Sequence, residues 1–98
     1  ITAAYMDTVM KRLYAQRDRY QTLIDHMKQA TPGEYLQASS DAFEIAQKYG
    51  LFEDVLHTVG IVYTPKPYTV GIFTMNRKDG QAIITELNEW LIAYQLQK

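Results

Sequence analysis

Two segments in the second half of the chain constrain the fold most. The runs from Val59 to Thr64 and from Tyr68 to Met75 are rich in β-branched and aromatic residues, and both are apolar almost without interruption. Such runs are typical of strands that are buried on both faces of a sheet, whereas a strand with one wet face alternates apolar and polar residues. We therefore expect two neighbouring strands, joined tightly at Pro65-Lys66-Pro67, and further elements that cover their sheet.

Helical patterns precede and follow these strands. Near the N-terminus, two apolar blocks with helical spacing are separated by the polar step Gln16-Arg17-Asp18, and Thr31-Pro32-Gly33 ends the pattern. This predicts two helices or one bent helix. After a turn at Asn76 to Gly80, a broad apolar stripe predicts a last helix that lies on the sheet. The stripe consists of Ile83, Ile84, Leu87, Trp90, Leu91 and Tyr94.

A first strand is predicted before these two. Phe43, Ile45, Gln47 and Tyr49 alternate with other residues in a period of two that ends at Gly50. The fold class is therefore α+β, with N-terminal helices, an antiparallel three-strand meander and a C-terminal helix. We expect residues 1–98 to form a single unit, because a chain of this length buries only about 65% of its unfolded surface.

Composition excludes several kinds of partner. Ten basic and eleven acidic side chains give a net charge of -1 without charged blocks, so neither nucleic acid nor an anionic membrane is an expected partner. No apolar run approaches the ~20 residues that a membrane span requires. The sequence has no cysteine, which leaves the compartment open. Because the chain starts at Ile1 without an initiator methionine, we expect an upstream segment.

Histidine and tyrosine give no clear site by themselves. His26 and His57 stand alone without a second ligand at metal-binding spacing, so we predict no metal and no cofactor. His57 is interpreted as a turn or capping residue at the start of a strand. Tyr5, Tyr20 and Tyr94 lie on apolar stripes, and we interpret them as core residues.

The tripeptide Lys48-Tyr49-Gly50 offers more chemistry. A lysine at the end of a strand next to a glycine provides a fixed cation, and it also provides a backbone that a ligand can approach closely. The alternative is a plain strand that ends in a glycine turn.

The order of these segments resembles the C-terminal strands of serine β-lactamase-like and penicillin-binding hydrolases. The matching runs are Gln47 to Gly50, His57 to Tyr63 and Pro67 to Thr74. In that family a Lys-Ser/Thr-Gly strand, a Gly-Ile-Val strand and a Pro-Tyr strand precede a closing helix, which Asn88 to Tyr94 resembles. The resemblance implies that the chain is the C-terminal portion of a β-lactamase-like catalytic domain, an α/β/α sandwich.

The resemblance also implies roles for particular residues. Lys48 matches the motif lysine, which helps to bind a substrate carboxylate, and Gly50 matches the glycine that lets the strand edge lie against the substrate. The backbone N–H of Leu51 would be one of two oxyanion donors. Tyr49 stands where the family usually has serine or threonine, so it would be a substrate-binding position with altered chemistry.

The family's nucleophile motif, Ser-x-x-Lys, is absent from this sequence. The leading hypothesis is therefore a portion of a serine acyl hydrolase, inactive alone, that needs an upstream segment of the same protein or a second copy. A small β-lactam or another ester or amide would be the substrate of the complete protein, and family members usually act outside the cytoplasmic membrane. The alternative hypothesis is a non-catalytic protein-interaction module. The leading hypothesis carries a further expectation: because the family's sheet also uses strands and a helix from the N-terminal region, this chain should expose an apolar sheet face and an unpaired sheet edge.

Overall fold

The computed structural model describes residues 2–75 and 78–98. Asn76 and Arg77, in the predicted turn before the last helix, and Ile1 lie outside the described residues. The elements in chain order are helix α1 (Ala3–Ala15), helix α2 (Gln21–Lys28), a short 3-10 helix (Tyr35–Ser39), strands β1 (Ile45–Phe52), β2 (Val55–Val62) and β3 (Tyr68–Met75), and helix α3 (Gly80–Gln95). The predicted α+β class and the order of its elements are confirmed.

The N-terminal pattern forms two separate helices. The side-chain oxygen of Thr2 accepts a hydrogen bond from the backbone N–H of Tyr5 at 3.0 Å, and this satisfies one of the free amides at the start of α1. The polar residues after Ala15 separate α1 from α2, so the two-helix form of the prediction is confirmed.

The three strands form one antiparallel sheet in the order β1-β2-β3. The predicted bounds of β3 are confirmed, but those of β1 and β2 were wrong. The loop between them is only Glu53 and Asp54, so β1 continues to Phe52 and β2 begins at Val55. Glu53 has a φ of 53°, a left-handed conformation that two-residue hairpin loops use and that the sequence alone did not reveal.

Helices cover both faces of the sheet, as the continuously apolar strands predicted. On one face, which we call the α1/α2 face, the buried cluster consists of Met10, Leu13, Ile24, Met27, Ala46, Val59 and Ile61. On the other, the α3 face, it consists of Leu36, Ile45, Val62, Val70, Ile84 and Ile92. Strand alternation therefore sends neighbouring residues of β2 into two different cores.

Several apolar side chains lie outside these cores. The prediction of an exposed sheet face is wrong for the middle of the sheet, and exposed apolar residues lie instead at the end near the β1–β2 loop and on the outer side of α3. They include Leu51, Phe52 and Met75 at the loop end and Leu87, Trp90, Leu91 and Tyr94 on α3. The predicted stripe of α3 was wrong for most of its residues: the helix buries Ile84, Asn88 and Ile92, and of these only Ile84 belongs to the stripe. Trp90 stays 68% exposed. Tyr5 and Tyr94 are likewise exposed and are not core residues.

Gln47 connects β1 to the segment that precedes it. The side chain is fully buried, and its Oε1 accepts hydrogen bonds from the backbone N–H groups of Leu36 at 3.0 Å and Gln37 at 3.3 Å. Its Nε2 donates to the backbone oxygens of Ala30 at 3.0 Å and Glu34 at 3.1 Å. One amide thus satisfies backbone groups on both sides of the turn between α2 and the 3-10 helix.

Replacing Gln47 with leucine should strongly destabilise the protein. The substitution keeps the volume but leaves several buried backbone groups without partners, which costs roughly 3 kcal/mol of unfolding free energy. Urea unfolding followed by circular dichroism measures the loss. The matched control is Gln97→Leu at an exposed position, which should change stability by less than about 0.5 kcal/mol. Equal effects of the two variants would contradict this role for Gln47.

Candidate functional site

The outer edge of β1 is unpaired among the residues that the structure describes, since β1 lies at one end of the strand order. The backbone N–H of Tyr63 donates to the oxygen of Glu44 at 3.0 Å, in register with the β1–β2 ladder. Hydrogen-bonded and non-hydrogen-bonded pairs alternate in an antiparallel ladder, so the even-numbered residues of β1 bond to β2. The N–H and C=O groups of Tyr49 and Leu51 therefore point away from the sheet along this free edge.

Lys48 places its ammonium group at this free edge. Alternation directs its side chain to the α1/α2 face, but Nζ reaches back to donate to the backbone oxygen of Tyr49 at 2.6 Å. The ammonium also lies 5.2 Å from the ring centroid of Tyr49. The side chain is exposed. A solvent-accessible cation thus lies beside the outward-pointing backbone groups of Tyr49, and the next such donor along the edge is the Leu51 N–H.

Tyr49 directs its side chain to the opposite face from Lys48. Its ring stacks on that of Tyr35, with centroids 4.9 Å apart and an interplanar angle of 12°. Burial, Tyr49 and Glu34 raise the pKa of the Tyr35 hydroxyl, in that order of importance, so this hydroxyl is neutral at ordinary pH. The ring of Tyr49, at the position where the resemblance implies serine or threonine, is therefore held against a second aromatic ring.

Gly50 lies opposite His57 in the β1–β2 pairing, and both are on the α1/α2 face. The imidazole of His57 stacks on Phe73 with centroids 4.8 Å apart, and it occupies the space next to the Gly50 α-carbon. A Cβ added at Gly50 would lie 2.5 Å from Cε1 of His57. The interpretation of His57 as a turn or capping residue was wrong, because it lies inside β2 and packs behind the candidate site.

The protonation of His57 is set by its surroundings. Burial, and after it the positive charge of Lys48, lowers the pKa of the imidazole below its usual 6.5. Its Nδ1 atom is buried and has no hydrogen-bond partner among residues 2–75 and 78–98. A neutral imidazole therefore supports the strand that carries Lys48 and Gly50.

The two serines of the sequence have structural partners. Ser39 Oγ donates to the backbone oxygen of Leu36 and accepts from Asn88 Nδ2 at 2.8 Å. Ser40 Oγ accepts from the backbone N–H of Ala42 at 3.0 Å. Ser39 is the last residue of the 3-10 helix and Ser40 follows it, and both hydroxyls are engaged in these local bonds, so neither is placed as a nucleophile beside Lys48.

Sequence reasoning singled out four neighbouring positions, Lys48 to Leu51, but it missed two residues that hold them. The signal for Gln47 in the sequence is a polar residue at a position where the alternation of β1 otherwise has apolar side chains. The contact of His57 with Gly50 could be inferred only after the hairpin loop was placed at Glu53-Asp54, because this loop sets residue 57 opposite residue 50.

Comparison with known families identifies the chain. The profile of the Beta-lactamase enzyme family matches residues 1–95. The chain belongs to this beta-lactamase enzyme family. The predicted resemblance is thus confirmed over nearly the whole sequence, and the family's fold is that of serine hydrolases. A comparison with curated proteins gave no significant match.

Solved structures show the beta-lactamase-type fold as well. The structure of PBP-A matches with a TM-score of 0.78 and 20% sequence identity, and the match covers 95% of this chain and 39% of that one. A mutant of PBP-A, solved as an acyl-enzyme complex with penicillin G, gives the same values. This chain therefore spans about two fifths of the length of these penicillin-binding neighbours.

Membrane-spanning helices and metal-binding clusters can be assessed for residues 2–75 and 78–98. None of the helices there combines the length and hydrophobicity that crossing a bilayer requires. Nor do three or more histidine or acidic side chains come together there in a way that could hold a metal ion.

Substituting Gly50 with alanine should destabilise the sheet edge, because the new methyl group collides with the imidazole of His57. We expect a loss of about 1 to 3 kcal/mol of unfolding free energy in urea titrations. Gly71→Ala is the matched control in the same sheet, since its Cβ would lie an ordinary 3.5 Å from Val59 Cγ1. In a His57→Ala background the Gly50→Ala cost should shrink, and an unchanged cost would show that this contact is not the cause.

Protonation of His57 should make the protein less stable as the pH falls. Because the folded state has the lower pKa, the unfolded state binds the proton first, and stability decreases from about pH 6.5 down to the folded-state pKa. Thermal unfolding at about pH 7.5 and about pH 5.5 measures the decrease. A His57→Gln variant titrates its carboxylates in the same way but should lose less of its melting temperature over this interval. Equal decreases would refute the effect.

Proposed function

We propose that this chain is the C-terminal portion of the catalytic domain of a serine acyl hydrolase that acts through an acyl-enzyme. In this proposal the free edge of β1 is the substrate-binding edge. The Leu51 N–H is one donor to the oxyanion, Lys48 binds a substrate carboxylate, and Tyr49 and Gly50 line the bound substrate. The observation that carries the proposal is that an accessible ammonium and an outward-pointing amide lie next to each other on an unpaired strand.

The chemistry of acyl transfer explains why this arrangement is useful. The carbonyl oxygen of the substrate gains negative charge as the nucleophile attacks, and a fixed backbone N–H stabilises this charge without reorganising. A backbone amide on a strand held by regular pairing is fixed in direction. The ammonium of Lys48 can exchange its bond with the Tyr49 carbonyl for a charge-assisted bond to a carboxylate.

The nucleophile is proposed to come from a segment outside residues 1–98. The two serines present are engaged in local hydrogen bonds. A mutant of PBP-A, a neighbour of similar fold, was solved as an acyl-enzyme complex with penicillin G, and its chain is about two and a half times as long as the matched region. By analogy we propose a β-lactam, or a related ester or amide, as the substrate, and a site of action outside the cytoplasmic membrane.

We further propose that this upstream segment packs on the outer side of α3. Leu87, Trp90, Leu91 and Tyr94 form an exposed stripe at helical spacing, which is the usual pattern for contact with a second helix. Glu86 and Glu89 border this stripe and are exposed. A second copy of α3 contains no lysine or arginine and offers these carboxylates no complementary charge, so the charges favour an upstream helix with basic residues over a homodimer.

The same exposed stripe supports the alternative function, a non-catalytic protein-interaction module. The two functions differ in what the parent sequence contains. A parent protein with no Ser-x-x-Lys motif would favour the interaction module and would remove the basis for acyl transfer.

The full-length protein should form a covalent adduct with a β-lactam. Intact-protein mass spectrometry after incubation with benzylpenicillin should show an increase equal to the mass of the whole compound, because opening of the ring releases no fragment. Lys48→Met should slow adduct formation by about 10- to 100-fold, as expected for the loss of one charge-assisted contact. The matched control is Lys66→Met at the exposed β2–β3 loop, which should react like the wild type. No adduct, or equal rates for the two variants, would refute the proposal.

A further inference from the structure

The stacked pair of Tyr49 and Tyr35 lies on the α3 face, directly beside the free edge of β1. Tyr49 is 37% exposed although one side of its ring is against Tyr35. Leu51, two residues along the strand, points to the same face and is 67% exposed. We call the two tyrosine rings of residues 35 and 49, together with the adjoining side chain of Leu51, the aromatic strip. It is an accessible apolar surface parallel to the edge that carries the Leu51 N–H.

Tyr35 is held in the strip at a conformational cost. Its φ of 53° is in the left-handed region, which costs a residue with a side chain about 1 to 2 kcal/mol. Such a conformation persists only where neighbouring contacts impose it. Thr85 Oγ1 donates to the backbone oxygen of Tyr35 at 2.8 Å, and Gln47 Oε1 accepts from the next amide, that of Leu36. These contacts on both sides keep the Tyr35 ring under Tyr49.

The strip and the Lys48 ammonium are within reach of one ligand. Nζ is 2.6 Å from the backbone oxygen of Tyr49 and 5.2 Å from the centroid of its ring. The neighbouring atoms of a carboxylate bound to this ammonium would therefore be within reach of the Tyr49 ring. Flat unsaturated groups stack on tyrosine more favourably than a methyl group does.

We propose that the aromatic strip determines specificity, by selecting substrates that carry a planar aromatic group within a few bonds of their carboxylate. This inference rests on the proposed function, because it takes the carboxylate position at Lys48 from it. It also gives Tyr49 a role that a serine or threonine at the same position could not perform. The Tyr49 side chain contributes a stacking surface and Tyr35 fixes its orientation.

Two small carboxylates that differ in one group test the inference. Cinnamate is crotonate with a phenyl group in place of the methyl group, so both offer the same unsaturated carboxylate. Titration of the full-length protein with each, followed by the NMR shifts of Leu51, gives two dissociation constants. The wild type should bind cinnamate about fivefold more tightly than crotonate. Equal affinities would overturn the inference.

Variants separate the stacking surface from the cation. Tyr49→Thr and Tyr35→Asn should each reduce the preference to below about twofold; asparagine tolerates the left-handed backbone, so the second variant removes the ring without adding strain. The matched control, Tyr94→Thr, changes an exposed tyrosine on the outer side of α3 and should keep the preference. If Tyr49→Thr keeps it too, the inference is wrong.

Lys48→Met distinguishes this failure from failure of the proposed function. It should weaken the binding of both carboxylates by the same factor and leave the ratio of the two dissociation constants unchanged. If it weakens neither while Tyr49→Thr abolishes the preference, the carboxylate role of Lys48 fails and only the stacking role of the aromatic strip remains. If it weakens both while the wild type shows no preference, the carboxylate site stands and the strip fails.

Discussion

The pairing of β1 with β2 is the interaction on which the candidate site depends. The ladder begins at a loop of two residues and keeps one register from Phe52 and Val55 to Ile45 and Val62. This register determines which backbone groups bond to β2 and which face outwards. A slip of one residue would turn the Leu51 N–H into the sheet and move Lys48 to the α3 face. The chemistry of the edge is thus a consequence of hydrogen-bond alternation.

Packing on both faces makes that register stable. Apolar residues of β2 enter two separate cores. A slip of β2 by one residue would turn each of its side chains to the opposite face and disrupt the packing of both cores. The buried amide of Gln47 adds a polar constraint, since it binds backbone groups on the turn before the 3-10 helix and fits them in only one position. These contacts hold the strand that carries the candidate site in one position.

Much of the fold could be predicted from local patterns. The continuous apolar run of β3 fixed its bounds, and the two blocks of helical spacing predicted α1 and α2. The β1–β2 loop was missed because Glu53 and Asp54 carry no glycine or asparagine, the usual signals of a short hairpin. Helix α3 was predicted, but its buried face was not, because Asn88 and Ile92 face the sheet while most of the apolar stripe is exposed, and spacing alone does not reveal this.

The candidate site, like the fold, could be predicted only in part from local patterns. The resemblance drew attention to Lys48, Gly50 and Leu51, and a regular strand makes their alternation predictable. The contacts that support them are not local: His57 packs against Gly50, and Tyr35 stacks on Tyr49 from fourteen positions earlier in the chain. Pairs of this kind require the register of the sheet and the path of the preceding turn, and neither is written in the spacing of one segment.

A crystal structure of the full-length protein acylated by a β-lactam tests the central claim most directly. We expect the acyl carbonyl oxygen to accept a hydrogen bond from the Leu51 N–H, at about 2.7 to 3.1 Å between the heavy atoms, and the substrate carboxylate to contact Lys48 Nζ. An acyl group whose carbonyl oxygen lies away from the free edge of β1 would contradict it.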